Sequence, residues 1–239
     1  MPRRVSSSSL DVTTSANGRI LYDASRVLAP SDSLFLPDTY PHACPVSEAG
    51  RGAAWFVSLD STDAVLRHYR RGGLIARLSR DRYVWTGVAA TRSFVEYRAL
   101  VHLHEQGCRV PRPLAATWWR HGLTYQAAIL VERLRDVQSL SRYVNRGSAL
   151  PAPAVARAVC QAIHAMHEAG VWHADLNAHN ILIDPSGHVW LIDFDRAKIG
   201  AVSRRQRGNN LQRLRRSLIK VAGERGVSFY NLIVENTDS

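Results

Sequence analysis

The stretch HADLNAHNILIDPSGHVWLIDFD, residues 173–195, decides how this chain is read. It opens on His173, Asp175 and Asn180 and closes on Asp193, Phe194 and Asp195. Between the polar ends lies the pattern of a β-hairpin: an apolar run from Ile181, a Pro-Ser-Gly turn, and a second apolar run from Val189. Pairing of those runs predicts that Asp193 returns to the side of Asn180, so that the oxygens of Asp175, Asn180 and Asp193 converge. Such a set suits phosphoryl transfer, in which catalysis is mainly positioning and neutralisation of charge. Asp and Asn also stabilise turns. Turn chemistry alone does not account for the whole string at this spacing around an apolar hairpin.

Outward from this stretch, PAVARAVCQAIHAMHEAG (residues 153–170) reads as a helix with proline near its start and glycine at its end. NLQRLRRSLIKVAG (residues 210–223) reads as a basic amphipathic helix with Leu211, Leu214, Leu218 and Val221 on one side. In the first half, GRGAAWFVSLD and STDAVLRHYR (residues 50–70) read as a hairpin with a glycine-rich entry. TRSFVEYRALVHLHEQG (residues 91–107) has helical spacing, and VPRPLAATWWR and LTYQAAILVERL (residues 110–134) read as strands. The Ser- and Thr-rich residues 1–18 lack apolar periodicity and are expected to form a flexible tail.

The chain has 239 residues, a net charge of +11 and a pI near 10.3. That excess implies an anionic partner: nucleic acid, anionic lipid or a phosphorylated substrate. Three widely spaced cysteines, Cys44, Cys108 and Cys160, suggest neither a disulfide framework nor a zinc site. His164 and His167 share a helix face, but no Cys or carboxylate nearby completes a metal set, which favours packing or exposure. No run of about 18 apolar residues exists to cross a bilayer, and the Arg pair near the start is not followed by the apolar run of a secretory signal.

HADLNAHN and DFD resemble the catalytic loop H-x-D-L-x-x-x-N and the metal loop D-F-G of the protein-kinase-like superfamily. The resemblance implies an α+β, two-lobed fold with a cleft: a β-rich N-lobe over residues 19–135 and a reduced helical C-lobe over residues 136–239. It implies Asp175 as catalytic base, Asn180 and Asp193 as Mg²⁺ ligands, ATP as the donor, and His173 as a structural buttress. Departures are informative. Asp195 replaces the glycine of D-F-G, Asn177 stands where many protein kinases have lysine, and no A-P-E segment follows. Only 46 residues follow Asp193, too few for the helical platform on which protein kinases dock peptides.

In the first half the same resemblance assigns a nucleotide clamp. Gly50 and Gly52 would let a backbone loop approach the phosphates, although a plain hairpin turn explains them equally well. Arg67 takes the place of the lysine that grips phosphate, with a planar fork instead of an ammonium. Glu96 is its expected ion-pair partner, the alternative being a capping box with Ser93. Main-chain groups near Glu132 are expected to meet adenine.

The segment after Arg67 is rich in cations, including Arg70, Arg71, Arg77, Arg80 and Arg82, interleaved with Tyr69, Leu74, Ile75, Leu78, Tyr83 and Trp85. A solvated basic loop is the plain reading; the interleaving suits a surface that meets both charge and lipid. Together RHYRRGGL, DRY, TRSFVEY, HADLNAHNIL and LIDFD are similar to the 3-deoxy-D-manno-octulosonic acid (Kdo) kinase family, from about residue 48 to 221. That similarity implies phosphorylation of a hydroxyl on the Kdo sugar of Kdo-lipid A precursor, in lipopolysaccharide core synthesis. It also implies peripheral contact with the cytoplasmic face of an anionic inner membrane, and no nucleic-acid partner. A heptose or aminoglycoside-type kinase is the nearest alternative; a catalytically dead binding module is a further one.

Overall fold

A computed structural model describes residues 10–15, 17–46, 54–59, 62–70, 81–146 and 152–236. The protein is α+β, and its chain divides into two compact units. The first comprises Met1–Val101 and Arg112–Arg133; the second comprises His102–Pro111 and Leu134–Ser239.

In chain order the first unit holds β1 (Leu10–Ser15), β2 (Gly18–Asp23), β3 (Cys44–Pro45), β4 (Ala54–Leu59), β5 (Thr62–His68), β6 (Tyr83–Val84), most of α1 (Arg92–Glu105), β7 (Pro113–His121) and β8 (Thr124–Glu132). The strands form one antiparallel sheet in the order β1-β2-β7-β8-β5-β4-β3, with β6 paired to the start of β8. Six consecutive residues of β7, Pro113 to Trp118, and four of β8, Ala127 to Leu130, are buried, as expected where both faces of a sheet are covered. Ile20, Phe35, Leu66, Leu114 and Leu130 form the core of one face. On α1, Phe94, Tyr97, Leu100 and Leu103 are buried, and the Ser93 hydroxyl donates to the Thr117 carbonyl at 2.7 Å, tying the helix to β7.

A flexible tail is expected over residues 1–18, but residues 10–15 of that stretch form a strand. Residues 1–9 lie outside the described residues, but LDVTTS forms β1 and closes on β2 at Ser15 and Gly18. Its lack of apolar periodicity has a simple cause. An edge strand that buries little is held by main-chain bonds to its neighbour, and Val and Thr favour the extended backbone.

The second unit holds β9 (Gln138–Ser139), α2 (Leu140–Asn145), α3 (Pro153–Glu168), β10 (Val171–Trp172), β11 (Ile181–Ile183), β12 (Val189–Leu191), β13 (Lys198–Ile199) and α4 (Arg204–Glu235). β11 and β12 pair as the predicted hairpin, Ile181 opposite Leu191, and β9 adds to the other edge of β11. α4 packs on α2 and α3. It runs well past the expected residues 210–223, because Gly223 (φ 55°, ψ −129°) breaks it into two limbs and the second continues to Glu235. A capping box between Ser203 and Gln206 starts the first limb.

Candidate active site

The loop between β10 and β11 is shaped by its own polar side chains. His173 is buried, and its two ring nitrogens are both used. Nδ1 accepts from the Asp175 main-chain N–H at 3.0 Å, and Nε2 donates to the Ile192 carbonyl at 3.0 Å. This requires the neutral imidazole, and burial holds His173 below its ordinary pKa against the opposing pull of the Ile192 carbonyl. His173 therefore joins the catalytic loop to the strand that leads to Asp193. Its ring also packs on Phe194, with centroids 4.7 Å apart.

Asn180 is buried, and its Nδ2 donates to the Asp175 carbonyl at 2.9 Å. The amide is thereby oriented, and its Oδ1 has no hydrogen-bond partner among the described residues. The hairpin pairing extends one step further, since the Ile192 N–H donates to the Asn180 carbonyl at 3.1 Å. Asp193 follows directly, with a positive φ of 68°. A left-handed backbone is costly for a residue other than glycine, although Asp tolerates it better than most. Asp175, Asn180 and Asp193 line one cavity of about 500 Å³. The Asp175 side chain is 52% exposed, so it is accessible to a reactant.

These groups fit a hard cation. Among the described residues no cluster of three or more His, Cys, Asp or Glu side chains could hold a metal alone. A carboxylate and an oriented amide oxygen suit Mg²⁺, which commonly takes one or two protein oxygens and completes its shell with water and substrate phosphates.

Sequence reading missed the contribution of α4. The Asn210 Nδ2 donates to the His173 carbonyl, and its Oδ1 accepts from His167 Nε2 at 3.0 Å. His167 is thus a buried hydrogen-bonding group. The Ser217 hydroxyl accepts from the Ala178 N–H at 3.1 Å. Arg213 donates to Asp175 Oδ1 at 2.9 Å, and Arg216 and Lys220 line the same cavity. The signal was available in NLQRLRRSLIKV: the polar residues Asn210, Arg213, Ser217 and Lys220 repeat at helical spacing.

In the first unit, Arg67 of β5 and Glu96 of α1 form an ion pair, and the Tyr69 hydroxyl donates to the same Glu96 carboxylate. Arg67 also lies over the Tyr69 ring, 4.9 Å from its centroid. The capping-box alternative does not hold: Ser93 lies inside α1 and bonds Thr117 instead. At Glu132 the main-chain N–H donates to Arg112 O at 2.8 Å, and the Arg133 N–H donates to Asp63 O at 2.9 Å. Neither N–H is available to a base. Arg70 and Arg82 are exposed. Gly50, Gly52, Arg71, Arg77 and Arg80 lie outside the described residues.

The sequence model of the lipopolysaccharide kinase (Kdo/WaaP) family matches residues 42–229. A 3-deoxy-D-manno-octulosonic acid kinase of Stenotrophomonas maltophilia (strain R551-3) is 49% identical over 88% of this chain and 84% of its own length. One of Xylella fastidiosa (strain M12) is 48% identical over 88% and 84%. One of Xanthomonas axonopodis pv. citri (strain 306) is 49% identical over 87% and 83%. On that match and those identities, the chain belongs to the lipopolysaccharide kinase (Kdo/WaaP) family.

Proposed function

We propose that this chain is an ATP-dependent sugar kinase that phosphorylates a hydroxyl of the Kdo residue on Kdo-lipid A precursor. The observation that carries the reading is the loop geometry: an accessible Asp175 beside an oriented Asn180 and a returning Asp193, in a member of a Kdo kinase family. The names of the relatives favour Kdo over a heptose or an aminoglycoside.

Asp175 orients the acceptor hydroxyl and accepts its proton as the phosphoryl group is attacked. His173 holds the loop through the Asp175 N–H and the Ile192 carbonyl. Asn180 and Asp193 would hold Mg²⁺, which when bound neutralises charge on the transferring phosphate. Arg67, fixed by Glu96 and Tyr69, grips the nucleotide phosphates as a forked cation. Gly50 and Gly52 would cover the phosphates, and the main chain at Glu132 would meet adenine. The basic segment with Arg70, Arg71, Arg77, Arg80 and Arg82 would hold anionic groups of the lipid-linked acceptor. The assigned setting is the cytoplasmic face of a Gram-negative inner membrane.

The test is Mg²⁺-dependent ATP consumption with Kdo-lipid A precursor, run with Asp175→Ala alongside. Loss of general-base assistance lowers turnover by about 10²- to 10⁴-fold, while nucleotide binding measured by calorimetry persists. Near-wild-type turnover in the variant would sink the assignment of Asp175. No acceptor-dependent turnover in the wild type would sink the kinase reading itself.

A further inference from the structure

The cations that α4 presents to the catalytic loop have no role in the reading so far. Arg213, Arg216 and Lys220 are spaced three and four apart along the helix and therefore share a face. All three line the cavity that contains Asp175. Arg213 already shows what this face binds, since its Nη1 donates to a carboxylate oxygen of Asp175 at 2.9 Å. Arg216 and Lys220 are exposed, and neither has an acidic partner among the described residues. The face is held firmly against the loop. Asn210 bonds the His173 carbonyl one turn before Arg213, and Ser217 bonds the Ala178 N–H between Arg216 and Lys220. These cations are thus placed by main-chain contacts and not by loose surface packing.

We infer that Arg213, Arg216 and Lys220 form the subsite for the carboxylate of an acidic acceptor sugar. The inference rests on the proposed kinase reading and deepens it. Within the cavity Asn180 and Asp193 mark the phosphate side, because they are the residues suited to the cation. Asp175 marks the hydroxyl side, and Arg213 is bonded to Asp175. On a ring sugar the carboxylate and the reacting hydroxyl lie within one ring of each other. A carboxylate seated on α4 therefore brings a hydroxyl to Asp175. The cavity of about 500 Å³ is large enough for a single sugar ring. Arginine supplies a planar fork for a carboxylate and lysine a compact charge beside it. Arg213 exchanges the Asp175 carboxylate for that of the acceptor, which frees Asp175 as the acceptor arrives.

The full chain is assayed with ATP and Mg²⁺ against two acceptors: Kdo-lipid A precursor and the same lipid with its Kdo carboxylate converted to the methyl ester. Arg216→Gln with Lys220→Gln is compared with Arg205→Gln, which removes a charge from an exposed position of α4 outside the cavity. Thermal melting is followed for each protein. The expected result is a rise of about tenfold or more in the KM of the acid acceptor in the double variant, the size typical of a lost charged hydrogen bond. KM for ATP stays within about twofold, the wild-type preference for acid over ester collapses in the double variant, and Arg205→Gln matches the wild type. An unchanged acid-over-ester preference in the double variant overturns the inference while leaving the kinase reading intact. So does a rise in the KM of ATP alone, which would assign the cations to the nucleotide phosphates. A wild type inert toward both acceptors overturns the kinase reading and the inference with it.

Discussion

At the scale of single residues, the organising group is His173, and its pH behaviour follows from its bonds. His173 and His167 are both buried, and burial lowers both below the ordinary imidazole value of 6.5. Above pH 6.5 neither the folded nor the unfolded chain carries these protons, and the contribution to stability is complete. As pH falls below 6.5 the unfolded chain takes up protons that the folded chain refuses, so stability is lost, at most about 1.4 kcal/mol per pH unit for each histidine. Urea unfolding at pH 7.5, 6.5 and 5.5 should show this decline, and His167→Gln should make it shallower. A wild-type stability that is flat down to pH 5.5 would mean that both imidazoles ionise within the fold. The sequence made the roles of Asp175, Asn180 and Asp193 easy to propose because all three lie on one loop and hairpin. Asn210 escaped notice because it reaches the His173 carbonyl from a helix position 37 residues further along. Glu96 was legible only as one of two alternatives. Its partner is decided by which way α1 presents the carboxylate to β5, and spacing along the chain does not encode that.

At the scale of elements, the sequence was most informative where burial follows a regular period. α1, α3, the β4–β5 hairpin and the β11–β12 hairpin all lie where their patterns place them. β1 and the second limb of α4 do not follow from period alone. The glycine at 223 reads as a helix end, and locally it is one, but the chain resumes helical structure and turns back on itself. Gly226 shows how close the two limbs come. A Cβ there would lie 2.1 Å from the Leu218 carbonyl oxygen, and backbone cannot move aside as a flexible side chain can. Gly226→Ala is expected to destabilise the protein by about 1–3 kcal/mol through overpacking. Gly208 on the first limb has open space around its Cβ position. Gly208→Ala is expected to stabilise by roughly 0.5–1 kcal/mol through helix propensity. Urea midpoints of the two variants should therefore move in opposite directions. Equal midpoints would show that the limbs do not cross tightly at Gly226.

At the scale of the whole molecule, the charge of +11 has to be reconciled with the proposed work at a membrane. No helix among the described residues is long and apolar enough to cross a bilayer. α4 carries eight cations and two acids, but its apolar side is not free to insert. Leu214, Leu218, Phe229 and Ile233 are already buried in the protein. Any attraction to anionic lipid would therefore come from surface charge, worth about 1 kcal/mol for each Lys or Arg near the lipid. That attraction is screened as the Debye length falls from about 10 Å at 0.1 M salt to about 3 Å at 1 M. The full chain should float with vesicles of phosphatidylglycerol and phosphatidylcholine at 0.1 M NaCl, release at 1 M, and ignore vesicles of phosphatidylcholine alone. Binding that survives 1 M salt, or that is equal on neutral vesicles, would require an inserted apolar surface instead and would refute the electrostatic account.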